Sequence, residues 1–190
     1  MLKSLWFITV LATVVPCFAQ QSSQERIETI LNAAQNRMYR QSDYWFEDGD
    51  FPRCINLLRF MFRAWPSHYE ISTDLGWMLE NVENDAEALK VYKEYRKLNP
   101  DDPEAAYPEA NYYFLKKQYE KVPPIIDPTL AKKPHPNSFR ICAHAYERTG
   151  KFADSKRVWE MLLKLTPDDG PAKVNLKRVE DKIKAGGKVK

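Results

Sequence analysis

The sequence predicts an all-α protein in which about four helix-turn-helix repeats stack into a solenoid that ends in a capping helix. Composition is the first observation: 6 Gly among 190 residues are too few for many hairpin turns, whereas 10 Tyr, 9 Phe and 5 Trp can fill a core. Second, four of the 13 Pro recur at intervals of 34, 34 and 33 residues, namely Pro66, Pro100, Pro134 and Pro167. A period of this length is typical of repeat architectures. Third, apolar residues fall at three- and four-residue spacing, as at Leu58, Met61 and Phe62, so that each helix buries one stripe.

Residues 1–19 are predicted to be a secretory signal peptide. Lys3 provides a positive charge, residues 5–15 form an apolar run of 11 residues, and the segment ends on the small residue Ala19, after which we predict cleavage. The run is well short of the ~20 residues that a membrane span needs. An uncleaved anchor and a buried helix are the alternatives. We therefore expect a secreted or periplasmic protein without stable membrane insertion after cleavage.

The net charge indicates no polyanionic partner. The formal charge of +3 falls to +2 when Lys3 leaves with the signal peptide. A balance so near neutral argues against binding to nucleic acid or to an anionic membrane surface.

Residues 20–34 are predicted to form a helical extension that precedes the first repeat. Ser22 and Glu25 have the spacing of a capping box at a helix N-terminus. One face of this helix would hold Ile27, Leu31, Ala34 and Met38.

The four repeats are predicted to span 35–68, 69–102, 103–135 and 136–169. The first helix of each has a small residue at the equivalent position: Ser42, Gly76, Ala110 and Ala143. Small side chains there let paired helices approach closely, and large ones such as Tyr92 and Trp159 fill the remaining space. The turn between the helices also recurs, because Gly49-Asp50-Phe51 in the first repeat matches Gly150-Lys151-Phe152 in the fourth.

Over residues 35–169 this pattern resembles the tetratricopeptide repeat (TPR) family. The second repeat matches at Leu75-Gly76, Leu79, Ala88, Tyr92 and Pro100. The fourth matches at Phe139, Cys142-Ala143, Tyr146, Ser155, Trp159 and Pro167. The resemblance implies a right-handed superhelical solenoid whose concave groove is lined by the first helix of each repeat.

The third repeat departs from the pattern in its second helix. Pro123, Pro124 and Pro128 each lack a backbone donor, and a proline in a helix interior costs ~3 kcal/mol. We predict a short or kinked helix here, with Ile126 and Leu130 still packed inward. The irregularity is either a degenerate repeat sequence that the fold tolerates, or it marks a bend in the superhelix or a partner site.

The chain is predicted to end in a capping helix over 170–185 and a disordered tail over 186–190. Pro171 has the first-turn position that proline favours. The apolar face would consist of Val174, Leu176, Val179 and Ile183. The outer polar face would consist of Lys173, Lys177, Arg178, Asp181 and Lys182.

No set of residues suggests catalysis, a cofactor or a metal ion. His68 and His135 fall in predicted loops between repeats, and His144 lies two positions after Cys142 on one helix, where the side chains point apart. The chain has no HExxH, CxxC or GxSxG motif and no glycine-rich phosphate loop. We therefore predict that the protein is not an enzyme and needs no cofactor.

The mature chain retains two cysteines, Cys54 and Cys142, which we predict to be free thiols. An even number in an oxidising compartment favours a disulfide, but these belong to the first and fourth repeats. Because packed helices lie ~8–10 Å apart, residues three repeats apart are separated by some tens of Å. A disulfide needs Cα atoms within ~7 Å.

The TPR resemblance implies a partner-binding groove on the first helices. By position, its lining comprises Tyr39, Asp43, Phe46, Glu47, Glu70, Thr73, Trp77, Glu80, Tyr107, Asn111, Phe114, Arg140, His144 and Arg148. Aromatic rings beside carboxylates suit an extended peptide with basic groups, while Arg140 and Arg148 suit an acidic residue or chain terminus. The carboxylate-clamp subset of the family is disfavoured, because it needs Lys and Asn where this chain has Tyr39 and Asp43.

The sequence predicts two candidate functions. The first is a scaffold for protein–protein interaction that binds a peptide segment or a partner subunit in the groove. The alternative is a self-assembling structural component, possible as a homo-oligomer, in which exposed solenoid edges pack between copies.

Overall fold

The structure is a computed structural model that describes residues 22–186. The predicted signal peptide and residues 187–190 of the predicted tail lie outside the described residues. Backbone contacts divide the chain into two units, Met1–Arg37 and Met38–Lys190, which are described in turn.

All regular secondary structure in the described part of the chain is helical. The α-helices are α1 (Ser23–Glu47), α2 (Phe51–Ala64), α3 (Tyr69–Asn81), α4 (Asp85–Leu98), α5 (Tyr107–Leu115), α6 (Pro123–Ile126), α7 (Pro136–Arg148), α8 (Phe152–Leu165) and α9 (Gly170–Lys184). Two 3₁₀ segments, Tyr119–Lys121 and Asp127–Lys132, flank α6. None of the described helices combines the length and hydrophobicity that a membrane span requires.

The described part of the first unit is the beginning of α1, and its predicted capping box is confirmed. The Ser22 hydroxyl accepts a hydrogen bond from the Glu25 N–H at 3.2 Å, and the Glu25 carboxylate accepts one from the Ser22 N–H at 2.7 Å. Ile27, Ile30 and Leu31 on this segment are exposed.

In the second unit, one backbone turn joins the two helical parts of every repeat. One residue of this turn has a positive φ each time: 75° at Gly49, 60° at Glu83, 59° at Lys117 and 75° at Gly150. In all four turns the N–H of that residue donates to the carbonyl three residues earlier. The predicted recurrence of helix-turn-helix units is thus confirmed, including two turns that have no glycine.

The predicted close approach at small residues is also confirmed. Gly76 in α3 lies against the ring of Tyr92 in α4, and a Cβ atom at Gly76 would overlap that ring. Ala110 and Ala143 at the equivalent positions are fully buried. In the first repeat the Cys54 thiol donates to the Ser42 carbonyl at 3.2 Å.

The core of the second unit is continuous from repeat to repeat. Its largest fully buried side chains include Met61, Leu75, Tyr95, Phe139 and Trp159. Cys54 and Cys142 are buried within it as free thiols, as predicted.

The loops between repeats are tied together at the prolines that mark the period. The Asn99 side chain donates to the Pro66 carbonyl at 3.0 Å, and the Lys132 ammonium donates to the Pro100 carbonyl. A loop of one repeat is thereby held against the loop of the next.

The second helical part of the third repeat is short, as its prolines predicted. Pro123 and Pro124 occupy the first turn of the four-residue helix α6, and Pro128 occupies the first turn of the 3₁₀ segment that follows. A proline loses no helical hydrogen bond at these positions. Ile126 and Leu130 are buried, which keeps the apolar contact with the neighbouring helices.

The capping helix α9 packs differently from the prediction. Ala172 and Val179 are its buried residues, whereas Val174 is 68% exposed and Ile183 is 41% exposed. Val174 and Val179 are five positions apart, and at 100° per residue this places Val174 well away from the buried stripe. Arg178 and Lys182 of the predicted polar face are exposed, and each also reaches the buried Glu147 carboxylate of α7, as described below.

Replacement of Gly76 by Ala is expected to lower the free energy of unfolding by about 1–2 kcal/mol. The overlap with Tyr92 costs ~1–3 kcal/mol as overpacking, which exceeds the ~1 kcal/mol that alanine gains over glycine in a helix. Chemical denaturation measures the change. Gly170→Ala is the matched control, because nothing lies within 4 Å of a Cβ atom at Gly170; a Gly76→Ala protein as stable as wild type would contradict the close approach.

Replacement of Glu83 by Gly is expected to raise the free energy of unfolding by about 0.5–1 kcal/mol. A left-handed residue with a Cβ costs ~1–2 kcal/mol, part of which is offset by the greater freedom of glycine in the unfolded chain. In the reciprocal change, Gly49→Ala, a Cβ atom meets nothing within 4 Å, so any loss of stability is a backbone effect. Thermal and denaturant unfolding should show that Glu83→Gly is more stable than wild type and that Gly49→Ala is less stable.

Candidate functional site

The residues predicted to line the groove fall into three separate clusters along the second unit. The first cluster lies on α1 and α3, the second on α5, and the third on α7. Only the first brings exposed aromatic rings and free carboxylates together, and the other two are largely engaged in internal contacts.

An exposed aromatic patch is formed by Phe46, Phe51 and Trp77. The rings of Phe46 and Trp77 have centroids 5.8 Å apart at an interplanar angle of 49°, and the Phe51 ring lies 5.8 Å from that of Phe46. Phe46 is 42% exposed and Trp77 is 50% exposed. Two successive repeats thus present neighbouring aromatic side chains to solvent from rigid helices.

A cavity of about 200 Å³ adjoins this patch, and we call it the acidic cavity. Its aromatic and polar lining includes Tyr39, Asp43, Phe46, Asp74 and Trp77. The buried side chains of Leu58 and Met78 complete its apolar wall.

Four of these five residues were predicted from the sequence to line the groove, and Asp74 was not. Asp74 lies four residues after Glu70 and three before Trp77, both of which were predicted to line the groove. The helical period alone would have included Asp74, because residues three and four apart share a helix face.

The acidic cavity is electrostatically unbalanced. Among the described residues, no Lys or Arg forms an ion pair with Asp43 or Asp74, and Glu70 is paired only with His68, at 3.1 Å from Nδ1. Burial raises the pKa of the Asp74 carboxyl, and the charges of Glu70 and Asp43 raise it further.

The Tyr39 hydroxyl shares this environment. The hydroxyl oxygen is buried and has no hydrogen-bond partner in the described part of the chain. Burial, followed by the charges of Asp74, Glu70 and Asp43, raises the pKa of Tyr39. The phenol is therefore neutral at neutral pH.

Glu80 and Glu47, two further acidic residues of the predicted lining, differ in their contacts. Glu80 accepts a hydrogen bond from the Tyr92 hydroxyl at 2.7 Å, so this carboxylate also braces α3 against α4. Glu47 is the last residue of α1 and is exposed.

The second cluster belongs mainly to the core. Phe114 is half-buried and packs edge-on against Tyr119 with ring centroids 5.3 Å apart. Tyr107 and Asn111 are also half-buried. One side of the Phe114 ring is thus engaged by Tyr119, and the place of Phe114 in the groove lining stays a prediction.

In the third cluster, one of the two predicted positive charges is paired within the chain. Arg140 donates to Asp169 at 2.6 Å and to Asn137 at 2.8 Å, so its charge is neutralised internally. Arg148 lies over the ring of Tyr119, with its guanidinium carbon 5.9 Å from the centroid. Arg148 is exposed and its positive charge has no acidic partner within residues 22–186, so its predicted role stays a prediction.

His144 is half-buried beside the core. Its ring packs edge-on against Trp159 with centroids 5.0 Å apart, and its Nδ1 lies 3.7 Å from the Glu147 carboxylate. Burial lowers the pKa of His144 despite the opposing charge of Glu147. A neutral imidazole, and not a cation, is therefore the form at neutral pH.

An ion-pair network centred on the buried Glu147 carboxylate joins α7 to α9. Arg178 donates to both oxygens of Glu147 at 3.0 and 2.6 Å, and Lys182 donates to the same carboxylate at 2.8 Å. Burial alone would raise the pKa of Glu147, but the hydrogen bonds from Arg178 and Lys182 outweigh it and lower the pKa to about 2. Arg178 and Lys182 are themselves 44% and 45% exposed, as a polar outer face requires, but helical periodicity did not indicate their partner 31 and 35 residues away.

No group of three or more His, Cys, Asp or Glu side chains within residues 22–186 is arranged to hold a metal ion.

The Glu147→Gln variant is expected to lose about 1.5–3 kcal/mol of unfolding free energy at pH 7, the range for hydrogen bonds to charged groups. The folded-state pKa of about 2 lies below the ordinary 4.5. The stabilisation by Glu147 is therefore present above pH 4.5 and is lost as the pH falls toward 2. Unfolding titrations across that range should show the difference between wild type and variant shrinking.

Glu160→Gln on α8 is the matched control for this prediction, because Glu160 is 46% exposed in its contact with Lys156. A loss of stability in Glu147→Gln that is the same at pH 7 and pH 3 would show that charge pairing is not the cause.

Comparison with known proteins supports the fold. No protein-family model matches the chain, and no curated protein matches it. A crystal structure of MamA protein aligns with a TM-score of 0.61 at 16% identity, over 77% of this chain and 80% of that chain. A MamA RS-1 double mutant aligns at 0.61 with 17% identity, over 78% and 84% of the two chains.

A further MamA structure, from Desulfovibrio magneticus RS-1, aligns with a TM-score of 0.56 at 17% identity, over 79% of this chain and 91% of that chain. The MamA structures are TPR-like helical solenoids. The described helices of this chain therefore form an all-helical solenoid of the TPR type, as the proline period and the small-residue positions predicted.

Proposed function

We propose that the protein is a non-enzymatic interaction scaffold, secreted or periplasmic after removal of residues 1–19, that binds a segment of a partner protein on the first helices of its first two repeats. The observation that supports this most directly is the exposure of Phe46 and Trp77 side by side. Exposed aromatic pairs of this kind are typical of binding surfaces, because large rings gain much contact area on association.

The rigidity of the supporting helices favours such binding. The close contact of Gly76 with Tyr92 and the hydrogen bond from Tyr92 to Glu80 fix α3 against α4. Side chains that are already positioned lose little conformational entropy when a partner binds, which leaves more of the contact energy for affinity.

Self-assembly is the second candidate function, and a separate observation favours it. Ile27, Ile30 and Leu31 on α1 are 57%, 67% and 47% exposed, and Val174 on α9 is 68% exposed. Apolar side chains left in water near the ends of a repeat array are candidates for contact with another copy.

The double variant Phe46→Ala with Trp77→Ala is expected to lose crosslinked partner from the native extracellular or envelope fraction, with little change in melting temperature. Both rings are exposed, so their removal costs the core little. Phe60→Ala is the matched control, because Phe60 is 54% exposed on α2 and lies outside the aromatic patch. Unchanged recovery of the partner by the double variant would reject the aromatic patch as the binding surface.

Light scattering of the mature chain separates the two candidate functions. A strict monomer removes self-assembly. A larger species would favour self-assembly through α1 if the Ile30→Ser variant disperses it. The double variant Phe46→Ala with Trp77→Ala should leave that species intact.

A further inference from the structure

The acidic cavity is too small for a drug-sized molecule and has the dimensions of a site for one side chain. Its volume of about 200 Å³ lies below the roughly 300–1,000 Å³ of small-molecule sites. It opens beside the exposed rings of Phe46 and Trp77, which are positioned to contact whatever enters.

The acidic cavity differs in charge from contacts that join neighbouring helical units of this chain. At two such contacts a carboxylate is paired with a cation: Asp85 with Lys116 at 2.6 Å, and Glu147 with Arg178 at 2.6 Å.

Asp43 and Asp74 both line the acidic cavity, and no Lys or Arg within residues 22–186 forms an ion pair with either. Burial raises the pKa of Asp74, and the charges of Glu70 and then Asp43 raise it further. A like-charge pair costs stability, which a bound cation would restore.

The aromatic rings specify the kind of cation. Within residues 22–186, other rings already have a cation over them, such as Trp45 beneath Arg53 and Tyr113 beneath Lys121. The rings of Phe46 and Trp77 have none. Their faces are negative and attract a cation that can shed water, which disfavours a hydrated metal ion.

We propose that the acidic cavity binds the guanidinium group of an arginine in the partner segment. This inference rests on the proposed function of the groove. The two carboxylates of Asp43 and Asp74 provide acceptors, while Phe46 and Trp77 provide stacking faces. A guanidinium matches this set better than an ammonium, because it is planar, presents five donors, stacks on aromatic rings and is weakly hydrated.

The test uses the full mature chain and three blocked tripeptides, acetyl-Gly-X-Gly-amide, with arginine, lysine or citrulline as X. Citrulline has nearly the shape of arginine but no charge. The signal is the indole N–H resonance of Trp77 in proton–nitrogen spectra, assigned with Trp77→Phe. We expect the arginine peptide to shift it saturably, the lysine peptide to bind at least about threefold more weakly, and citrulline to have no effect.

Asp43→Asn and Asp74→Asn are expected each to weaken the arginine peptide by at least about tenfold, the order expected for losing a charge-assisted hydrogen bond. Asp101→Asn, a change of an exposed loop carboxylate, is the matched control. Both cavity variants should melt no lower than wild type, because each removes repulsion, so that lost binding is not explained by unfolding.

Three results would overturn the proposal: no saturable shift of Trp77, equal binding of the citrulline or lysine peptide, or unchanged affinity in both cavity variants. The proposed function fails separately, when the natural partner is still recovered by Phe46→Ala with Trp77→Ala. If that double variant loses the partner while the Asn variants keep both partner and peptide, the groove stands and the arginine site falls.

Discussion

The close approach of the two helices within a repeat is the constraint on which the rest of the second unit depends. Gly76 lies directly against the Tyr92 ring, and Ala110 and Ala143 occupy the equivalent positions without exposed surface. With larger side chains the helices would separate, and the stripe that each buries would lose contact with its neighbours. Because no repeat of this size buries its apolar face alone, separation in one repeat weakens the stacking of the next. The position of α3, and with it the exposure of Trp77, follows from this contact.

The fold could be predicted from sequence because its determinants are local or periodic. The proline interval, the small residues and the capping box of Ser22 with Glu25 all act within one repeat or one turn. Only two of these four turns could be predicted from sequence. Gly49 and Gly150 indicate a left-handed residue, whereas Glu83 and Lys117 adopt the same conformation without glycine. There the surrounding repeat imposes a backbone that the residue itself disfavours, which no local pattern reveals.

The candidate site was predictable only in part, for a different physical reason. Helical periodicity indicates which residues face the groove, but it does not indicate which charges are already neutralised. Arg140 pairs with Asp169 and Arg178 pairs with Glu147, at separations of 29 and 31 residues. These contacts depend on how one repeat is placed on the next, so they become visible only when the packing of neighbouring repeats is known. Phe114 is a similar case, because one side of its ring contacts Tyr119 in the irregular segment that follows α5.

The distribution of paired and unpaired charge connects stability with function in this chain. Pairs between neighbouring repeats, such as Asp127 with Arg157, use the register of the solenoid to stabilise the stack. Asp43 and Asp74 instead bring two acids to one cavity, beside rings that no cation within residues 22–186 covers. A cation of this chain at either position would relieve the repulsion between the two acids, as Lys116 offsets the charge of Asp85. The cavity keeps a negative charge and stacking faces that complement a cation from outside the chain, and this complementarity is the basis of the proposal that it binds arginine.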